Sequence, residues 1–179
     1  MMGQFLRNNR VMAIILTVLR VYLGWTWLSS GWGKVMGEFN AGGYLQNAVA
    51  NPVMNGEVIK YPLYVSFLEN VAVPGADIFS VVVAWGEVLV GLGLIVGIFT
   101  SAAAFFGAVM NMSFLFAGTV SSNPWMVIVA FVIMAAGANA GRYGGDRWVL
   151  PYLKTIFANK FKKNNDLGIN TAKPIKEAI

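Results

Sequence analysis

Four long apolar runs constrain this chain more than any other feature. They lie at about residues 11–32, 77–99, 101–120 and 124–140. A helix needs about 20 mostly apolar residues to cross the roughly 30 Å hydrocarbon core of a bilayer. Backbone in lipid must satisfy its own hydrogen bonds, and a helix does so within one segment. The fourth run is the shortest, but Asn123 suits a helix N-cap and Pro124 the first helical position. Composition agrees with the runs. The chain is 57% hydrophobic and 12% charged, whereas an average soluble domain is about a quarter charged.

The sequence therefore reads as an all-α polytopic membrane protein, a four-transmembrane-helix bundle over residues 11–147. Residues 1–10 precede it, an outer loop covers 33–76, and a basic amphipathic tail covers 148–179. Arg7 and Arg10 before an apolar run could open a secretory signal, but the run contains Arg20 and continues through Trp25, Trp27 and Trp32. An uncleaved first helix is the better reading.

Orientation follows from the basic residues. Arg7 and Arg10 precede the first run, and Arg142, Arg147, Lys154, Lys160, Lys162, Lys163, Lys173 and Lys176 follow the fourth. Only Lys34 and Lys60 lie in the long loop. The positive-inside rule places both termini in the cytoplasm. The net charge of +5 comes from these flanks, so it points to membrane lipids as partners and not to nucleic acid. In the tail, Trp148, Tyr152, Ile156, Phe157 and Phe161 alternate with lysines, the pattern of an interfacial helix on an anionic leaflet. The last fifteen or so residues read as disordered. The segment from Tyr61 to Val73 reads either as an interfacial helix or as a lid over the bundle.

The chain has no Cys and no His. That removes thiolate chemistry, disulfides, imidazole bases and the usual zinc and haem ligands. The acidic residues do not cluster, so neither metal nor haem is expected.

Ionisable groups inside a membrane are costly and mark candidate sites. Arg20 and Glu87 interrupt the first and second runs, and Asn111 the third. Counted from the cytoplasmic helix ends, the three fall at similar depth. The expectation is an Arg20–Glu87 pair with Asn111 nearby. Such a pair fixes helix register, or binds the polar head of a lipophilic ligand, or moves protons; a third possibility is that Arg20 snorkels to the interface. Arg20, Gly24, Trp27, Gly31 and Lys34 follow helical spacing on one face. The glycines there admit a close helix or a flat ligand, while Lys34 alone is a weak signal at a helix end. Gly93 and Gly97 read as a packing pair. After the fourth run, Gly141, Arg142 and Asp146 form an exit motif in which Arg142 and Asp146 are placed to pair.

These residues together resemble the DoxX/DoxD-like family of small bacterial membrane proteins. The resemblance covers about residues 11–150. It rests on LRVYLGWTWLSSGWGK in the first run, WGEVLVGLGLIVGIFTSAAA across the second and third, and the GRYGGDRW exit. It implies a four-helix membrane fold and quinone-linked redox chemistry, one branch being described as the small membrane subunit of a thiosulfate:quinone oxidoreductase. A quinone is then the candidate cofactor, with Arg20 and Glu87 at its head and Trp27 stacked on it. Because the chain lacks a redox apparatus of its own, the resemblance implies a redox partner subunit; self-association stays open. The alternatives are a non-catalytic scaffold or anchor, and a small transporter or lipid-handling protein.

Overall fold

The computed structural model describes residues 2–169. Residues up to Asp146 form one compact unit and those from Arg147 onward a second. In the first unit, α1 (Met2–Asn8) and α2 (Arg10–Met36) are followed by α3 (Gly42–Ala50) and a two-stranded hairpin of β1 (Met54–Asn55) and β2 (Val58–Ile59). Then come α4 (Pro62–Phe67), which runs into a π-helical turn (Leu68–Ala72), α5 (Ala76–Val96), α6 (Thr100–Phe116) and α7 (Asn123–Ala136) with a closing 3-10 turn (Gly137–Asn139). Helix α8 (Asp146–Ile169) makes the second unit from Arg147 onward.

The all-α class holds, with the small hairpin as its one addition among the described residues. The helix limits follow local chemistry. Asn9 caps α2, its side-chain oxygen accepting from the amides of Val11 and Met12 at 2.8 and 3.2 Å. Gly97 ends α5 in the left-handed region at φ +72°. At α7 the expected cap is displaced by one residue. Ser122 stands at the cap and Asn123 is already helical, its amide donating instead to the Thr119 carbonyl.

Helices α2, α5, α6 and α7 are neighbours around a ring. Leu16, Leu23, Leu94, Ala104 and Ile133 fill its interior. Its exterior is equally apolar: Val18, Trp25, Ile78, Leu89, Phe106 and Ile128 are all exposed. A soluble monomer rarely presents continuous apolar surface of this extent. Helices α2 and α5 are long and apolar enough to cross a membrane, while α6 and α7 have 17 and 14 residues.

Helices α2 and α5 touch backbone to backbone. A Cβ on Gly91 would lie 2.5 Å from the Leu28 nitrogen and 2.8 Å from the Gly24 oxygen. One on Gly31 would lie 2.7 Å from the Val88 nitrogen. Small residues permit such approach where no hydrophobic force drives helices together.

The outer loop is structured. Leu45 and Ala48 of α3 pack on Leu68 and Ala72 of the π turn, all buried. Tyr64 donates to the Ser113 carbonyl at 2.9 Å, and Tyr44 shares a hydrogen bond with Thr119 at 2.9 Å. The segment Tyr61–Val73 is largely helical and, together with α3, packs over this end of the bundle, and the two are termed the lid. Residues 1–10, expected as a plain terminus, contain α1, which packs on α7. In the second unit, Trp148, Tyr152 and Ile156 lie four residues apart and are exposed on one face of α8. The tail expected to be disordered is helical as far as Ile169, and its remainder lies outside the described residues.

Candidate functional site

The polar residues of the bundle separate into two clusters at its opposite ends. Arg20 does not meet Glu87. Its guanidinium packs against Gly97 and Gly144. Helices α2 and α5 are antiparallel, and Arg20 lies against Gly97, the residue that caps α5, so the ten residues of α2 from Arg10 to Leu19 run past that end, about 15 Å at 1.5 Å per residue. Depths counted from the helix ends therefore misplace Arg20 relative to Glu87.

At this end, α5 and α6 are joined by a turn of three residues. Asp146 accepts from the amides of Phe99 at 2.7 Å and Thr100 at 3.0 Å. It thereby caps α6, which has no cap of its own. The amides of Gly145 and Asp146 donate in turn to Val96 and Gly97 carbonyls. Asp146 forms no ion pair with Arg20. Of the exit motif, Gly141 and Asp146 come together, since a side chain on Gly141 would collide with the Asp146 carboxylate. Arg142 does not pair with Asp146, whose oxygens are taken by the α6 amides. Arg20 Nε and Nη1 have no hydrogen-bond partner. The cluster is a latch packed by glycine backbone, holding Arg20 and Asp146 without an ion pair between them.

At the other end lies a cavity of about 550 Å³ beneath the lid, within the ~300–1,000 Å³ of small-molecule pockets. Trp27, Glu87, Asn111 and Met126 line it from the bundle, and Tyr44 and Tyr64 from the lid. Lys34 Nζ binds Glu87 Oε2 at 2.7 Å and Ser30 Oγ at 2.8 Å. Lys34–Glu87 is the one ion pair among the described residues. The Glu87 side chain is 2% exposed and that of Lys34 24%, so the pair connects the floor of the cavity with the surface. Burial pushes the Tyr44 and Tyr64 hydroxyls above their ordinary titration range, so both remain donors.

Three buried polar atoms in this cavity lack partners: Trp27 Nε1 and both amide atoms of Asn111. A buried polar group left unpaired costs about 1–3 kcal/mol. Asn111→Leu is accordingly expected to raise the melting temperature in detergent, by the equivalent of about 1 kcal/mol or more. A lowered melting temperature would show that Asn111 is satisfied within the protein.

Sequence reasoning found Trp27, Glu87 and Asn111 and undervalued Lys34, which a sequence shows only as a charge at a helix end. It passed over Ser30, Tyr44 and Tyr64. The aromatic content of the loop was the available signal for the last two.

A ring of helices, apolar outside, with a lidded polar-floored cavity inside, defines a small membrane protein built around an internal site. The chain matches the DoxX family over residues 15–119, more than half its length, and belongs to that family. The matched span takes in most of the cavity residues, leaving out Ser121, Ser122, Asn123 and Met126, and it excludes Asp146. No curated protein and no solved structure matches the chain.

Proposed function

We propose that this DoxX-family protein is the small membrane subunit of a quinone-linked redox complex, akin to a thiosulfate:quinone oxidoreductase, and that the lidded cavity holds the quinone head. In this reading all four helices of the ring cross the bacterial plasma membrane. Both termini are cytoplasmic, α8 lies on the anionic inner leaflet, and the lid faces outward, in keeping with the distribution of Lys and Arg.

The carrying observation is the set of unpartnered buried groups in an otherwise apolar, aromatic-walled cavity. A quinone head is flat and apolar with an acceptor oxygen at each end. Trp27 Nε1 and the Asn111 amide are donors without protein partners, and Tyr44 and Phe114 supply ring faces in the same wall. A bound quinone supplies reversible uptake of electrons and protons at its ring oxygens. The chain's own residues position the head and handle protons: Asn111 and Trp27 orient it, and Glu87 offers a carboxylate whose charge is balanced by Lys34. Without Cys or His in the chain, electrons come from a partner subunit. Arg20 has no place at the head, since it lies in the other cluster.

The test is saturable binding of a short-chain quinone to purified protein, followed by equilibrium dialysis. Trp27→Phe keeps the ring and removes the N–H; it and Asn111→Leu should each weaken binding about tenfold, the size of one hydrogen bond of about 1.4 kcal/mol. Absence of saturable binding to the unmodified protein sinks the quinone reading. Binding that both substitutions leave unchanged sinks the site.

A further inference from the structure

The wall of the cavity differs from one side to the other. Between α2 and α7 it presents hydroxyls: Thr26, Ser30, Ser121 and Ser122. From α5 and α6 come the polar Glu87, Asn111 and Ser113 but also Val82, Val83, Val109 and Met110. Helices α5 and α6 are close near their turn, where a Cβ on Gly93 would lie 3.1 Å from that of Ala103. Towards the lid the cavity occupies the space between them. Val82 and Val109 line it and are nonetheless 58% and 46% exposed. Above them Phe67 of the lid meets Phe79 of α5 edge to face, with centroids 6.0 Å apart. The lid surface beside this opening is apolar as well, with Leu63, Phe67 and Val71 exposed at spacings of four.

We infer that the α5–α6 flank is a lateral slot through which the ligand enters from the bilayer, and in which its apolar tail lies once the head is bound. The occupant is the isoprenoid-like tail of a lipid-soluble molecule. Taking a long apolar tail out of the membrane is costly for every methylene moved into water. A slot that opens to hydrocarbon lets the tail stay where it is while the head reaches Asn111 and Glu87. Phe67 and Phe79 form the lintel, and Val82 and Val109 the jambs. The lintel stands directly before the π-helical turn Leu68–Ala72, a type of turn frequent at functional sites. The chemical nature of the head rests on the proposed function; the slot rests on the wall.

The chain contains no cysteine, so one introduced thiol reports alone. Ser113→Cys places it in the cavity wall. In vesicles it should react with lipid-soluble N-phenylmaleimide and not with a membrane-impermeant sulfonated methanethiosulfonate. Plugging the slot with Val82→Trp and Val109→Trp, both at exposed positions, should abolish the maleimide reaction. The slot is overturned if the sulfonated reagent labels as readily as the maleimide, if neither labels, or if the plug changes nothing. Should the plugged chain fail to fold, the comparison of reagents on the unplugged chain decides alone. A short-tailed quinone should protect the thiol in the unplugged chain. Labelling by maleimide alone, removed by the plug but not slowed by quinone, would reject the quinone head and leave the slot standing.

Discussion

Asp146→Ala is expected to cost about 2 kcal/mol of stability or more, because it removes a buried carboxylate that accepts from two backbone amides. The substitution removes a negative charge from the end of the bundle where Arg20 is buried at 2% exposure. It also releases the Phe99 and Thr100 amides at the start of α6, where loss of a cap alone costs about 0.5–2 kcal/mol. The measurement is thermal unfolding and monodispersity in detergent. Charge and capping separate in a double-mutant cycle. Arg20→Met in the Asp146→Ala background should recover the electrostatic part and leave the capping part lost. If the two substitutions simply add, Arg20 does not depend on Asp146 and the latch is wrongly described. Asp146→Asn keeps an acceptor without the charge and should fall between the parent and the alanine variant.

The second large effect lies on the α2–α5 contact. Gly91→Val should prevent the two helices from docking and abolish the folded bundle. Its Cβ would meet the Leu28 nitrogen and Cα and the Gly24 oxygen, all within 2.8 Å and all backbone. None of these atoms can turn aside as a side chain does, so the helices must separate, and dispersion contacts along the seam are lost with distance. Two other glycines serve as controls. Gly86→Ala meets only the Met110 sulfur, at 3.3 Å, and should be tolerated. Gly33→Ala meets nothing within 4 Å and should be neutral or gain up to about 1 kcal/mol from helix propensity. Equal loss at all three would mean that glycine flexibility, and not close approach, is what the positions require.

The contrast between these glycines shows what the sequence made legible and what it did not. The apolar runs gave the helices, because a membrane span declares itself by length and composition. The four-three-four-three spacing of Arg20, Gly24, Trp27, Gly31 and Lys34 gave the inward face of α2, and Arg20, Gly24, Trp27 and Gly31 are indeed buried there. Glu87 and Asn111 stood out because polar groups in apolar runs need a reason. The pairing was misread, since antiparallel helices need not begin at one level, and the ten-residue overhang of α2 depends on α1 and the exit turn packing beside it. Lys34 looked like a surface charge because its partner is 53 residues away. The segment Tyr61–Val73 was left between two readings for a similar reason: α4 and the π turn are each too short to declare a helix, and they pack on α3 and α6.

The latch joins residues from nearly opposite ends of the first unit's sequence, and a ribosome makes them in order. The amides of Phe99 and Thr100 at the start of α6 precede the carboxylate that caps them by 47 and 46 residues. The start of α6 therefore stays uncapped until everything up to the exit turn has been translated.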